Sequence, residues 1–178
     1  MVGNCPGYAR GRRRDLARWS AALSGTPGHA VSGYVTVLLV CLVAAAYMSG
    51  LSWFVGVVHY PLFAGVGAAG WRTYHRRHSD RTTAVVLAPM IAELVAAAAI
   101  AVDRPPDVGA APAAAGLAIA AATWALTAFA TRLHRRIADP LDSGAHRSLL
   151  AVHHARTALW TAHTLLVAII VAGASRAA

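Results

Sequence analysis

Four apolar stretches, each long enough to cross a hydrocarbon core, constrain this chain more than any other feature. They run over residues 34–58, 82–102, 110–131 and about 157–174. A helix needs about 20 apolar residues to span a bilayer. Inside lipid every backbone N–H and C=O has to be satisfied within its own segment, so such runs read as helices. The first and third carry no charge, the second contains Glu93 and the fourth contains His163. The expected fold is all-α, an integral membrane four-helix bundle. It occupies residues 33–178 as a single domain behind a polar, Arg-rich leader at residues 1–32.

Charged residues make up 13 % of the chain, against roughly 25 % in a soluble domain, which removes an ordinary aqueous globule from consideration. The net charge of +9 looks at first like a nucleic-acid signal. All sixteen basic residues are Arg, however, which with the abundance of Ala, Gly and Val reflects a GC-rich coding bias. These arginines fall outside the apolar stretches, where cytoplasmic loops and lipid headgroups are the expected neighbours. The partners expected are therefore the lipid bilayer and a small molecule, with no nucleic acid. Cys5 in the leader and Cys41 in the first span are given no role. Arg10, Arg12, Arg13, Arg14 and Arg18 resemble the basic region of a signal peptide, but the apolar run that follows is about twice the usual core length. It is expected to stay as an anchor, and two readings of the leader stay open, partial disorder or a short amphipathic helix along the interface at residues 16–23.

Between the second and third spans, Asp103-Arg104-Pro105-Pro106-Asp107 makes a tight polar turn, because the prolines cannot continue a helix. The other two connections, residues 59–81 and 132–156, are long, rich in Arg and His, and fall on one side of a four-span protein. They carry nine arginines, so the positive-inside rule places them in the cytoplasm and the termini outside. The location expected is the bacterial cytoplasmic membrane, crossed several times.

Nine histidines is a high number for this length. His59, His75, His78, His134, His146, His153 and His154 should all lie near one membrane face. Two readings stay open: interfacial contacts with headgroups, or convergence between helices to bind a metal or move protons. At about 100° per residue His75 and Glu93 share a helix face, continued by Thr82, Val86 and Pro89. His146 and His153 share a face at i+7, while His154 turns away. His75, His78, His146 and His153 are the candidate metal ligands, and imidazole suits copper or iron. Haem is less well served, because these histidines sit near span ends and not in facing central pairs. No HExxH, CxxC or Glu-x-x-His spacing is present.

An ionisable residue inside a span is costly and marks function by default, the alternative being a structural hydrogen bond between helices. Glu93 lies about 22 Å beyond His78, and His163 about 25 Å beyond His146, at roughly 1.5 Å per residue. Their depths match, so a buried pair is expected. Pro89, one turn before Glu93, frees a backbone carbonyl and is expected to shape a pocket wall. Trp53, Tyr74 and Trp160 are the candidate pocket residues. Glu93, His163, His75 and Arg156 are the candidate catalytic ones.

Several blocks together resemble a family of small four-span bacterial membrane proteins. They are Trp53, His59-Tyr60-Pro61-Leu62-Phe63, Tyr74-His75, His78, Pro89-Met90, Glu93, His146, Arg156-Thr157 and Trp160. The resemblance implies the four-span architecture and no settled reaction. Where that pattern has an Asn-Trp pair ahead of Arg-Thr, this chain has His153-His154, and where Arg is expected it has His163. The added histidines point to a member recruited to modify a small molecule. Size and span count are also similar to the four-span anthrone oxygenase-like proteins, without a shared motif.

The function expected is a membrane-embedded enzyme acting on a small, partly apolar metabolite in a pocket lined by His and Glu. It would use a histidine-bound copper or iron, or metal-free proton transfer. The alternative is a non-enzymatic binding, transport or assembly protein. A lone transporter of this size is disfavoured, since such folds use two repeats of several spans, although a homo-oligomer would restore that reading.

Overall fold

The structure, a computed structural model, describes residues 27–138 and 143–177. The chain divides into two compact units, Met1–Thr36 and Val37–Ala178. In the first, residues 27–36 are helical. The leader up to residue 26, with the expected interfacial helix and Cys5, lies outside the described residues.

The second unit is built from four helices, α1 Pro27–Phe54 (from Val37 onward), α2 Ala68–Val102, α3 Ala110–Arg136 and α4 Ser143–Ala177. All four are long and apolar enough to cross a membrane, and no strand occurs among the described residues. Every helix exposes large apolar side chains on its outer face: Val43 on α1, Val95 on α2, Phe129 on α3, Leu165 and Ile169 on α4. The interior holds, beside small residues and a few large apolar ones such as Met48 and Trp160, the polar groups Ser52, Glu93, Thr123, Arg156 and His163. That inversion suits lipid, which solvates apolar surface and offers a buried polar group no partner. The protein is a multi-pass membrane helix bundle.

The closest backbone approaches are α3 on α4 and α2 on α3. The reason lies in α3, whose buried residues Ala113, Gly116, Ala120 and Thr123 follow alternating three- and four-residue steps, with Ala130 two turns further on. A stripe of small side chains lets helix backbones close in, and packing at short range is what holds helices together in lipid. Three apolar layers result. One joins Leu38, Cys41, Ala97, Val108 and Val167 at the Pro-Pro end. A second joins Met48, Met90 and Trp160 in the middle. The third brings Tyr60, Phe63 and Trp71 from the first hairpin against Leu133, Ile137 and Leu149 from the second. The Trp71 indole N–H donates to the Ile137 carbonyl across this layer.

One expectation is corrected. The connections read as long loops are mostly helical, and the His- and Arg-rich segments extend α2, α3 and α4 beyond the apolar windows. At 35 residues α2 is about 52 Å long, well over a hydrocarbon thickness of about 30 Å. Nothing between residues 68 and 89 breaks a helix, so backbone bonding continues into the polar zone. The first hairpin is closed instead by a π-helical turn, Val55–His59, and a 3-10 turn, Pro61–Gly65. Pro61, which lacks an N–H to donate, ends the first and opens the second.

With Cys41 replaced by Ala and Cys5 by Ser, single cysteines at Gly67 and Asp107 should be labelled by a membrane-impermeant maleimide from opposite sides of a sealed vesicle. Labelling from the same side would overturn the four-span topology.

Candidate functional site

The site begins with the π turn. Its widened ladder has the Tyr60 N–H bonding the Val55 carbonyl at 2.9 Å, and the Ser52 carbonyl one turn earlier is met from α4 by His153 Nε2 at 2.8 Å. π turns inserted in helices mark functional sites often enough to direct attention there. Gly56 makes the contact sterically possible, since a Cβ at that position would lie 3.0 Å from the His153 ring. A carbonyl can only accept, so His153 Nε2 carries the proton and Nδ1 holds a lone pair with no partner among the described residues.

Beyond the turn, five rings connect. His59 Nε2 and His78 Nδ1 share a hydrogen bond of 2.8 Å, with the Thr82 hydroxyl 3.3 Å from the same His78 nitrogen. The Tyr60 hydroxyl lies 3.2 Å from His134 Nε2, and His134 Nδ1 lies 3.1 Å from His75 Nε2. The His78 ring is 6.0 Å from the His134 ring, which sets the pair beside the chain of three. Donation along Tyr60, His134 and His75 is self-consistent in either direction. The phenol donates to Nε2 while Nδ1–H donates to His75, or every bond reverses together. A chain with two such states moves a proton without moving a ring.

Two cavities flank these rings. The larger, about 680 Å³, opens between α1, α2 and α4 and is lined by His59, His78, Tyr74 and His153 among apolar residues of α1 and α2. The smaller, about 290 Å³, lies between α2 and α3 and is lined by His75, His134, Thr127 and Ser79. Tyr60, His78, Thr82, Val86 and Arg156 belong to both walls. They form a partition, and the Tyr60–His134–His75 chain runs from it along the wall of the smaller cavity.

Toward the bundle centre the partition rests on a polar column. The Arg156 guanidinium stacks 4.7 Å over the Trp160 ring, an arrangement favoured by the ring quadrupole. Trp160 Nε1 donates to Glu93 Oε2 at 2.8 Å, and His163 Nδ1 donates to Glu93 Oε1 at 2.6 Å. The Cys41 thiol reaches His163 Nε2 weakly at 3.9 Å. Glu93, Trp160 and His163 are fully buried. Gly116 faces this pair, and a Cβ there would stand in ordinary contact, 3.4 Å from His163 Nε2.

The expected residues separate into those the fold unites and those it does not. Glu93 and His163 form the pair anticipated from their depths. Tyr74 lines the larger cavity, but Trp53 is exposed with its N–H on Thr161, and Trp160 belongs to the column beneath the pocket. Pro89 lies inside α2 and lines neither cavity, although Val85 and Val86 one turn earlier do. The four histidines read as metal ligands are not brought together. His75 bonds His134, His78 bonds His59, His153 bonds a carbonyl, and His146 stacks on Phe63 at 5.9 Å. Among the described residues no group of three or more His, Cys, Asp or Glu is arranged to hold a metal ion. His75 and His153 line different cavities, so a pocket shared by these two is also corrected. The sequence reading missed Tyr60, His59 and His134 as a connected set. Their signal was the His59-Tyr60-Pro61 block, whose direction a regular helical phase misassigns once the π turn intervenes.

No family model, no curated protein and no solved structure matches the chain.

Two substitutions test this geometry in detergent. Gly56→Ala should displace His153 from Ser52 and lower stability by about 1–3 kcal/mol, the usual range for overpacking, whereas Gly50→Ala, with open space around it, should not. Glu93→Ala should cost about 3–5 kcal/mol, as removal of one member of a buried pair does, and Glu93→Gln clearly less, since it keeps an acceptor for Trp160. Equal melting temperatures for the two Glu93 variants would show that the column does not hold the helices together.

Proposed function

We propose that this chain is an enzyme of the bacterial cytoplasmic membrane that modifies a small, partly apolar metabolite by proton transfer within the bundle. One observation carries the reading: a cavity of about 680 Å³ has on its wall the hydrogen-bonded His59–His78 pair. Ligand pockets are concave and mostly apolar, with a few convergent polar groups, and a small-molecule site of a few hundred Å³ has this character. His78 spends Nδ1 on His59 and Thr82, and its Nε2 has no partner among the described residues. In this reading Nε2 takes a proton from bound substrate while the Nδ1 proton passes to His59. The charge thus leaves the ring that faces the substrate. Tyr60, His134 and His75 form a separate hydrogen-bonded chain beside this pair, on the side of the smaller cavity.

Glu93 and His163 line neither cavity, so their part is to hold Trp160, and through it Arg156, in place. Pairing of the imidazoles nitrogen to nitrogen supports proton transfer above a histidine-bound copper or iron, which needs several free nitrogens converging on one point. The same cavity would serve a binding protein without turnover, and the experiment separates the two.

Lipid-soluble extracts of cells with and without the chain are compared, and the compound that accumulates in its absence is given to the purified protein in nanodiscs. Conversion should fall by roughly 10²-fold or more in His78→Phe, the scale of a lost general base. It should persist in His146→Ala. A compound bound but unchanged would establish the binding protein, and full turnover in His78→Phe would remove the proposed base.

A further inference from the structure

The larger cavity has an uneven charge distribution. Arg77, Arg81 and Arg156 line it, and no carboxylate does. Arg77 and Arg81 are exposed, whereas Arg156 is only 9 % exposed. No ion pair to Arg156 exists among the described residues and its Nε has no hydrogen-bond partner there, while the Trp160 ring and the Tyr60 phenol are its favourable neighbours. A buried guanidinium without a counter-ion is costly, and the cost is recovered when an anion arrives. Three residues earlier on the same face of α4, His153 presents the second orphan atom, Nδ1, as a lone pair. A guanidinium donor and an imidazole acceptor side by side complement a carboxylic acid: C=O accepts from Arg156 and O–H donates to His153. The rest of the wall, Leu51, Val55 and Val86 among it, is apolar.

We propose that the larger cavity binds a carboxyl-bearing amphiphile, with its head between Arg156 and His153 and its tail along α1 and α2. The acid enters from lipid in neutral form. Its O–H bond then breaks as an N–H bond forms at His153 Nδ1, leaving a carboxylate between an imidazolium and a guanidinium. Arg77 and Arg81, near the rim, raise the local concentration of anions and lose that effect in salt. The inference deepens the proposed function by naming its substrate class. It is measured by binding alone, so its failure is distinguishable from a failure of turnover.

The probes are dodecanoate and dodecanol, titrated into the full-length protein in phosphatidylcholine nanodiscs. Dodecanoate should bind about tenfold or more tightly than dodecanol, the scale of a hydrogen bond to a charged group. Arg156→Gln should erase that preference without lowering the melting temperature, because it removes an uncompensated charge. Should Arg156→Gln fail to fold, Arg156→Lys keeps the charge without the planar fork and should bind dodecanoate with intermediate affinity. Equal affinity for acid and alcohol, or an unchanged preference in Arg156→Gln or Arg156→Lys, would overturn the proposal. Nanodiscs containing phosphatidylglycerol separate the two sources of an anion. Undiminished dodecanoate binding there supports a free carboxylic acid, and complete competition assigns the site to lipid headgroups and overturns the metabolite assignment.

Discussion

A carboxyl group at the centre of an apolar helix bundle has to be paired, and the pairing of Glu93 determines how the remaining helices can pack. Its two oxygens are taken by Trp160 and His163, both on α4 and three residues apart, so α2 and α4 are locked in one register. Lipid gives no hydrophobic force between helices, and a polar contact of this kind sets their relative position where apolar packing alone would allow sliding. The third helix packs against the His163 ring at Gly116, and its buried stripe from Ala113 to Ala130 is made of small residues.

From that fixed point the site follows outward along α4. Trp160, held by Glu93, supports Arg156; Arg156 and His153 occupy the next turn of the same face; and His153 reaches the carbonyl that precedes the π turn of the first hairpin. The turn rotates His59 toward His78 and Tyr60 toward His134. The chemistry therefore sits at the end of the bundle where the helices extend past their apolar windows, and where a polar network can coexist with an apolar cavity. Its most unusual member is Arg156, a buried cation on the wall of two cavities and, among the described residues, without an acid to balance it.

The described residues also show how interfacial histidines differ from connected ones. His154 is exposed, as its phase required, and His146 packs against Phe63. His59, Tyr60, His75, His78 and His134 are joined by hydrogen bonds across three helices. Counting histidines near one face could not separate these groups, because headgroup contact and proton relay draw on the same residue types at the same depth.

The sequence by itself determined the number of spans, the hairpin at Pro105-Pro106, the side on which the histidines gather and the depth at which Glu93 and His163 would meet. Each of these follows from the bilayer, whose thickness and lack of hydrogen-bonding partners act on every residue in order along the chain. Tertiary structure decided the rest. The helical continuation of the Arg-rich segments, the π turn at Val55, the pairing of His59 with His78 and of His134 with His75, and the burial of Trp160 depend on which helix faces which. A single inserted residue in the π turn that follows α1 redirects His59 and Tyr60, and a hydrogen bond between residues 70 positions apart is fixed by packing distance, a quantity no local pattern contains.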